Sequence, residues 1–329
     1  MYTLAKPLLF NMDPERAHTF ALKSLPIYAK LFGDKPYAKP VQVMGLSFPN
    51  PVGLAAGLDK NGAFISAWFK LGFGFVEIGT LTPQPQTGNP KPRLFRLVED
   101  KAIINRMGFN NNGIQHFLKM HKRKQYPGIL GINIGKNKTT PLAEAIEDYR
   151  VGFEQVYSIA DYITLNVSSP NTEGLRQFET GEYLNALLLT LKESQKKCEE
   201  LYNKKVPLVV KISPDLNDAE LRNTAIQIKN NRVDGVIATN TTVSRPSLQS
   251  CYRMESGGLS GAPLKERSIK IIQKLQHFFE DQIPIIGVGG IFNLQDAKAK
   301  LDAGAKLIQV YSGLIYQGPE LIKLLVRGI

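Results

Sequence analysis

The sequence predicts an α/β fold, a (β/α)8 TIM barrel with a small N-terminal helical extension. Eight short runs rich in Val, Ile and Leu recur between helical patterns, and most are apolar on both faces, as strands of a buried parallel sheet are. The chain has 329 residues, of which 43% are hydrophobic, and such barrels use about 250 residues as one unit. Eight βα units close naturally into a barrel, and an open doubly wound sheet is the alternative.

The predicted elements follow one another along the chain in strand and helix order. The strands are Pro51–Ala56, Phe75–Thr80, Ile129–Ile134, Tyr162–Val167, Leu208–Ile212, Gly235–Asn240, Ile285–Gly289 and Leu307–Tyr311. Amphipathic patterns predict helices over Tyr183–Tyr202, Asp218–Asn230 and Leu264–Phe279. This alternation is typical of right-handed βαβ units.

Polar groups or glycines stand at almost every C-terminal strand end. Examples are Asn133, the segment Asn166-Val-Ser-Ser-Pro-Asn171, Lys211 and Thr239. A single Asn or Ser is an ordinary turn former, but eight such ends in step indicate an active site, because barrel sites lie at that face. Lysines at strand ends are costly to bury without an anionic partner, so Lys60 and Lys211 indicate a charged ligand.

The last two strand ends are typical of a phosphate site. Gly287-Val-Gly-Gly290 and Tyr311-Ser-Gly313 let backbone N–H groups approach a phosphate. The first segment lacks the G-x-G-x-x-G spacing of a dinucleotide site. A phosphate there, with many amides across the barrel mouth, fits FMN, and pyridoxal phosphate fits less well.

Composition and charge limit the kinds of ligand and function that the chain can have. The formal charge is +12, which suits anionic ligands, phosphates, nucleic acid or an acidic membrane surface without choosing among them. Lys and Arg form no long run of the kind that binds nucleic acid. Cys198 and Cys251 lack partners at metal-ligand spacing, so no metal site is expected. No stretch approaches the ~18 apolar residues of a membrane span.

Seven segments carry a specific family resemblance. They are Ala56-Gly-Leu-Asp-Lys60, Asn105-Arg-Met-Gly-Phe109, Gly131-Ile-Asn-Ile-Gly135, Asn166-Val-Ser-Ser-Pro-Asn171, Ala238-Thr-Asn-Thr-Thr242, Gly257-Gly-Leu-Ser-Gly261 and Gly287-Val-Gly-Gly290. Through them nearly the whole chain resembles the dihydroorotate dehydrogenases. The resemblance implies oxidation of dihydroorotate to orotate in pyrimidine synthesis, with bound FMN as hydride acceptor.

The resemblance also assigns ligand contacts to this sequence. The implied FMN contacts are Ala56, Gly57, Leu58, Asp59, Lys60, Thr80, Asn133, Asn166, Lys211, Thr239, Gly261, Gly290, Tyr311 and Ser312. The implied substrate contacts are Lys60, Asn105, Arg106, Met107, Gly108, Phe109, Asn166, Asn171, Asn240 and Thr241. Asparagine amides both donate and accept, so they can read the edge of a pyrimidine.

The catalytic base separates the classes of the family. By resemblance, a cysteine takes the proton in the soluble class and a serine does so in the membrane-associated, quinone-dependent class (class 2). The residue at the motif position here is Ser169, and neither cysteine lies in the motif. A serine hydroxyl is a poor base unless its proton is relayed onward, and we hypothesise that Thr172 helps to relay it.

Residues 1–40 stand outside the barrel, which takes residues 41–329. Asp13-Pro-Glu15 reads as a helix start, and the pattern predicts two short amphipathic helices separated at Pro26. They form either a small cap on the barrel or a membrane-contacting pair that admits quinone; the resemblance favours the second. His18, Arg96 and Tyr311 are the predicted quinone contacts.

The expected partners are dihydroorotate or orotate and a membrane quinone, with no nucleic acid. A monomer is expected, bound peripherally to the cytoplasmic side of the cell membrane. The alternatives are a soluble dihydroorotate dehydrogenase linked to fumarate or NAD and an FMN barrel such as a tRNA dihydrouridine synthase. A non-catalytic barrel that binds a phosphorylated ligand is the alternative from another class.

Overall fold

A closed barrel of eight parallel strands forms the centre of the computed structural model, which describes residues 2–33, 38–121 and 125–329. The barrel strands are Val52–Leu54, Phe75–Leu81, Ile129–Ile134, Tyr162–Asn166, Leu208–Ile212, Gly235–Ala238, Ile285–Val288 and Ala305–Val310. Each strand pairs with the next in sequence, and the eighth pairs with the first. The predicted fold class and all eight predicted strands are therefore confirmed, with ends that match or differ by at most two residues.

Helices lie between and after the strands. They are Ile65–Lys70, Ile114–His121, Ala145–Val156, Gly181–Tyr202, Asp218–Asn230, Lys265–Phe279, Leu294–Asp302, Ser312–Gln317 and Glu320–Gly328. The helix Asp218–Asn230 matches its prediction at both ends, because Asn217 and Glu220 form a capping box there.

The two ends of the barrel are closed differently. A hairpin of strands Val41–Val43 and Leu46–Phe48 covers the N-terminal end, where Phe48 packs edge-on against Phe75 at 5.3 Å between ring centroids. This plug belongs to an apolar cluster with buried Tyr162 in the barrel interior. The C-terminal end is instead lined by polar groups. The N-terminal end is therefore sealed by apolar packing, and the C-terminal end is free to hold an active site.

A small antiparallel sheet lies beside the C-terminal end of the barrel. Its strands are Leu94–Leu97, Ala102–Asn105 and Gly258–Gly261, with Ala102–Asn105 in the middle. The sequence patterns did not predict this sheet, because its strands have four residues each and the third lies far along the chain. It brings Asn105 and Gly261 to the barrel mouth.

The N-terminal extension is helical, but its helices differ from the prediction. The helices are Tyr2–Asn11 and Pro14–Phe32, and Asp13 caps the second by accepting from the backbone N–H groups of Glu15 and Arg16. The predicted break at Pro26 is wrong. Proline removes one backbone hydrogen bond, but Leu25 and Ala29 on either side are buried in the main core and hold the helix together.

Candidate active site

One cavity opens among the C-terminal strand ends, and we name it the mouth cavity. Its polar and glycine lining comprises Gly57, Lys60, Thr80, Asn105, Gly108, Asn166, Ser169, Asn171, Lys211, Thr239, Asn240, Thr241, Ser260, Gly261, Gly289, Gly290, Gln309, Tyr311, Ser312 and Gly313. Ala56, Met107 and Phe109 also line it. Residues far apart in sequence thus meet at the face where barrel enzymes hold their active sites.

Asparagines form hydrogen-bonded pairs across this cavity. Asn240 Nδ2 donates to Asn166 Oδ1 at 3.0 Å, and Asn171 Nδ2 donates to Asn105 Oδ1 at 3.2 Å. These pairs join the loops after the fourth and sixth barrel strands and the antiparallel sheet. Each amide retains further donor or acceptor capacity, so the set can recognise a flat polar ring.

Ser169 is a buried hydroxyl in the lining. Its Oγ accepts a hydrogen bond from the backbone N–H of Asn171 at 3.3 Å, which holds the hydroxyl at the cavity. Thr172 is buried in the same segment, but it stands outside the lining formed by the described residues. The geometry therefore places Ser169, and not Thr172, in the lining of the mouth cavity.

Two lysines bring positive charge to the mouth cavity. Burial, together with the charge of Arg93, lowers the pKa of Lys60 to about 8. Lys60 Nζ donates to the carbonyl of Gly57 at 2.6 Å. Burial also lowers the pKa of Lys211, against the opposing effect of the Glu77 carboxylate. An anionic ligand would stabilise both ammonium groups.

A glycine cradle forms another part of the mouth cavity. Gly261, Gly289 and Gly290 have φ angles of +104°, +107° and +71°. A Cβ on Gly290 would lie 2.8 Å from the backbone nitrogen of Lys265, at the start of a helix. Beside the cradle, the hydroxyls of Ser260 and Ser312 are 2.8 Å apart. Open backbone next to helix starts is the usual surface for a phosphate group.

One acceptor in the lining has no partner among the described residues. Gln309 is fully buried, its Nε2 donates to Glu77 at 2.8 Å, and its Oε1 lacks a hydrogen bond. An unsatisfied buried acceptor is costly, so this atom suits a bound ligand with N–H donors. Together with the cradle and the two lysines, it fits a flat heteroaromatic cofactor with a phosphate tail.

A second cavity of about 740 Å³ lies between the N-terminal helices and the barrel, and we name it the helix cavity. Its lining is mostly aliphatic and aromatic, for example Leu8, Phe20 and Leu25. This volume is within the range that holds a drug-sized molecule. Lys60, Met107 and Tyr311 line both cavities, so they form a common wall.

Sequence and structure comparisons identify the family. The sequence model of the family described as dihydroorotate dehydrogenase matches residues 39–329. This chain belongs to the dihydroorotate dehydrogenase family. A protein named dihydroorotate dehydrogenase (quinone) from Idiomarina loihiensis is 54% identical, with all of both chains covered. Its namesake from Marinobacter nauticus is 53% identical over all of this chain and 98% of its own.

A solved structure agrees with this membership. The crystal structure of DHODH from Eimeria tenella in complex with ferulenol has a TM-score of 0.88 and 39% identity, covering 98% of this chain and 93% of its own. The ligand-free type from the same organism has a TM-score of 0.87 and 40% identity over 96% of this chain and 94% of its own. The similarity therefore includes the N-terminal helices as well as the barrel.

The predicted quinone contacts His18, Arg96 and Tyr311 all line the helix cavity. Burial and the charge of Lys60 together lower the pKa of His18 to about 3. The Arg96 guanidinium donates to the carbonyls of Leu9 and Met12, at the end of the first helix. Arg96 thereby connects the antiparallel sheet to that helix.

Four predicted ligand contacts have side chains engaged elsewhere. Leu58 lines the helix cavity. Asp59 accepts from the backbone N–H groups of residues 63 and 64, which orders the turn before a helix. Asn133 lies beneath the lining and donates to Glu77. Arg106 pairs with Glu255 at 2.6 Å. Their side chains support the site more than they line it.

Sequence reasoning missed three polar residues of the site in this family member. Glu77 and Gln309 lie within buried strands, where they are hidden among apolar neighbours in the sequence. Ser260 lies in the antiparallel sheet that was not predicted. A charged residue inside an otherwise apolar strand was the available signal, because such a residue is costly to bury without partners.

Within residues 2–33, 38–121 and 125–329, no group of three or more His, Cys, Asp or Glu side chains is arranged to hold a metal ion. In the same ranges, no helix combines the length and apolar character needed to cross a membrane.

Proposed function

We propose that this protein oxidises dihydroorotate to orotate in pyrimidine biosynthesis and passes the electrons to a quinone. The observation that carries this proposal is the pair of cavities with opposite chemistry, one polar and one apolar, on either side of Lys60, Met107 and Tyr311. The proposal agrees with the relatives named dihydroorotate dehydrogenase (quinone).

FMN is the cofactor that fits the mouth cavity. Its phosphate would lie at Gly261, Gly290 and Ser312, and its ring would lie near Gln309, whose free Oε1 suits a ring N–H group. When bound, FMN supplies a hydride acceptor, which amino-acid side chains lack. Lys211 would stabilise negative charge on the ring through its buried ammonium group.

Dihydroorotate is a pyrimidine with a carboxylate, and the remaining groups of the mouth cavity match it. Lys60 provides the positive charge for the carboxylate. Asn105 and Asn171 form one amide pair at the ring edge, and Asn166 and Asn240 form the other. Met107, Gly108 and Phe109, which follow the strand Ala102–Asn105, and Thr241 also line the cavity. These four residues would enclose the ring.

Ser169 is the proposed base. Oxidation removes a proton from C5 and a hydride from C6, and the Ser169 hydroxyl takes the C5 proton. The backbone N–H of Asn171 fixes the position of Oγ. Thr172, a buried hydroxyl three residues further along the chain, is proposed to pass the proton onward. A cysteine base is disfavoured, because neither Cys198, in the helix Gly181–Tyr202, nor Cys251 lines the mouth cavity formed by the described residues.

The helix cavity is the proposed quinone site. Its apolar lining suits a hydrophobic ring and tail, while His18, Arg96 and Tyr311 offer polar contacts for the quinone oxygens. The lowered pKa of His18 keeps its imidazole neutral near pH 7, which suits an apolar site.

The N-terminal helices are proposed to contact the membrane. Leu4, Leu8, Phe20, Ile27 and Leu31 on these helices are largely exposed, and exposed apolar side chains on amphipathic helices favour insertion at a lipid interface. We propose that residues 1–40 form the membrane unit and residues 41–329 the catalytic unit. Within these ranges, residues 1, 34–37 and 122–124 lie outside the described residues. The protein would then be a monomer held peripherally at the cytoplasmic side of the cell membrane.

Anaerobic titration tests the central proposal. The purified protein should be yellow, and dihydroorotate should bleach its visible flavin absorption without oxygen. A subsequent addition of quinone should restore the colour. A colourless protein that also fails to bind added FMN would overturn the proposal.

Removal of residues 1–40 tests the assignment of the two cavities. The truncated protein should lose quinone-dependent turnover and retain some reduction of a soluble dye, because the mouth cavity lies within the barrel. The full-length protein in the same detergent is the control. Full quinone activity after truncation would reject the helix cavity as the quinone site.

A further inference from the structure

A buried carboxylate lies beneath the mouth cavity and has no role in the chemistry proposed above. Glu77, in the second barrel strand, has no exposed surface. Its oxygens accept from Asn133 Nδ2 at 2.9 Å, Tyr162 Oη at 2.9 Å and Gln309 Nε2 at 2.8 Å. A buried charge is costly even when it is hydrogen-bonded, and an apolar side chain would serve packing better. Glu77 therefore needs a functional explanation.

Glu77 is the last acceptor of a hydrogen-bond chain that leads to the mouth cavity. Next to it, Asn133 Oδ1 accepts from Thr80 Oγ1 at 2.6 Å. Thr80 Oγ1 in turn accepts from Asn166 Nδ2 at 2.9 Å. Each group in this run accepts from the side of the cavity and donates toward Glu77. The carboxylate is thus connected to Asn166, whose amide lines the cavity, through Asn133 and Thr80.

The chain continues to the substrate end of the cavity. Asn166 Oδ1 accepts from Asn240 Nδ2 at 3.0 Å, and Asn240 Oδ1 accepts from the backbone N–H of Thr241 at 2.8 Å. Five consecutive hydrogen bonds therefore run in one direction, from a backbone N–H group to a carboxylate.

The two ends determine this direction. A carboxylate only accepts and a backbone N–H group only donates, whereas amides and a hydroxyl can do both and can turn around. Because Glu77 can only accept, Asn133 must turn its NH2 group toward Glu77 and its oxygen toward Thr80. The same constraint then passes to Asn166, which lines the cavity.

We propose that Glu77 is a positioning residue whose carboxylate fixes which atoms of Asn166 and Asn240 face a bound pyrimidine. This inference rests on the proposed function, because it takes dihydroorotate and orotate as the ligands of these amides. Glu77 touches neither ligand in this account and acts through Asn133 and Thr80.

The variant Glu77→Gln removes the obligate acceptor at nearly constant volume. Its carboxamide can donate to Asn133, so Asn133 can turn and the chain loses one fixed end. We expect the FMN-loaded variant to bind orotate about tenfold more weakly, measured from the shift that orotate causes in the visible flavin spectrum. Unchanged orotate affinity in Glu77→Gln would overturn the proposal.

The double variant Glu77→Gln/Asn133→Asp distinguishes orientation from packing. It moves the carboxylate one step along the chain, where it can again accept only, both from Thr80 and from the introduced carboxamide. We expect its orotate affinity to return to within about threefold of wild type, as a coupled pair should. If the single variant does not fold, the double variant still tests the proposal, because it is expected to fold and bind orotate. A double variant that binds as weakly as Glu77→Gln, or fails to bind, would overturn the proposal.

Tyr162→Phe is the matched control. It removes one donor to Glu77 and leaves the five-bond chain complete, so orotate affinity should stay at the wild-type value. A tenfold loss in Tyr162→Phe would show that any disturbance beneath the cavity weakens binding, which contradicts an orienting role. Wild-type protein that binds FMN but no orotate would instead reject the proposed function itself.

Discussion

The mouth cavity and the helix cavity share a wall at Lys60, Met107 and Tyr311, but the lining of the first is rich in polar groups and that of the second is largely apolar. The ends of the barrel strands, the loops that follow them and the antiparallel sheet supply the amides, hydroxyls and ammonium groups of the mouth cavity. Two N-terminal helices supply much of the apolar lining of the helix cavity. Because the two cavities are formed by different parts of the chain, flavin reduction by dihydroorotate and flavin re-oxidation by quinone should respond to different substitutions.

The largest expected effect concerns Ser169 in the mouth cavity. In Ser169→Ala, reduction of the flavin by dihydroorotate should slow by at least about 100-fold, because general-base catalysis contributes this much or more. Stopped-flow spectroscopy without oxygen measures the step in a single turnover. Re-oxidation of chemically reduced enzyme by quinone should keep its wild-type rate. Slowing of both steps would show that the two cavities do not serve independent half-reactions. An unchanged reduction rate would reject Ser169 as the base.

A bulky substitution in the helix cavity should give the opposite pattern. Ala21 lines this cavity, so Ala21→Trp should raise the KM for quinone about tenfold by occupying its space. Flavin reduction by dihydroorotate should not change. Thr19→Trp is the control, because Thr19 is exposed on the same helix. Equal losses in both variants would mean that the helix surface, and not the cavity, sets quinone affinity.

The pH dependence of orotate binding tests the role of Lys60 in the wall between the two cavities. The pKa of Lys60 is lowered to about 8, and the orotate carboxylate binds its ammonium form. Binding should therefore be strongest below pH 8 and weaken above it, by up to about tenfold per pH unit. Spectral titration of wild type and Lys60→Gln between pH 6.5 and 9.5 measures this. Lys60→Gln should bind weakly with a flat profile, and the same pH dependence in that variant would assign the titration to another group.

The smallest effect concerns the attachment of the helices to the barrel. Glu15 pairs with buried Arg93 at 2.7 Å. Burial raises the pKa of Glu15, but hydrogen bonds and charge from Arg93 and Lys91 lower it more, so the net pKa lies below the usual value. The pair therefore stabilises the fold above pH ~4.5 and loses this effect as pH falls further.

Glu15→Gln should lower the stability by about 1–2 kcal/mol at pH 7. Thermal unfolding at pH 7 and pH 4 measures the difference from wild type, which should shrink at pH 4. Lys91→Met is the control, because Lys91 is 68% exposed and should contribute little. Equal destabilisation at both pH values would show that packing of Glu15, and not its charge, anchors the helix.

Strand periodicity predicted the barrel well, because buried parallel strands are apolar on both faces and stand out from amphipathic helices. Local rules were less reliable for the N-terminal helices. Pro26 is a helix breaker by its own chemistry, yet Leu25 and Ala29 bury enough surface to continue the helix through it. The antiparallel sheet was not predicted, because Gly258–Gly261 pairs with Ala102–Asn105 across about 150 residues of intervening chain.

Sequence by itself determined the fold class, the strand ends that carry polar groups, and the segment with Asn166, Ser169 and Asn171. These features follow from local pattern and motif. Only the tertiary structure decided that Lys60 stands in the wall of two cavities and that Glu77 anchors a chain of amides beneath one of them. Such facts depend on which side chains meet across the barrel, and hydrogen-bond direction is a property of the assembled network and not of any one residue.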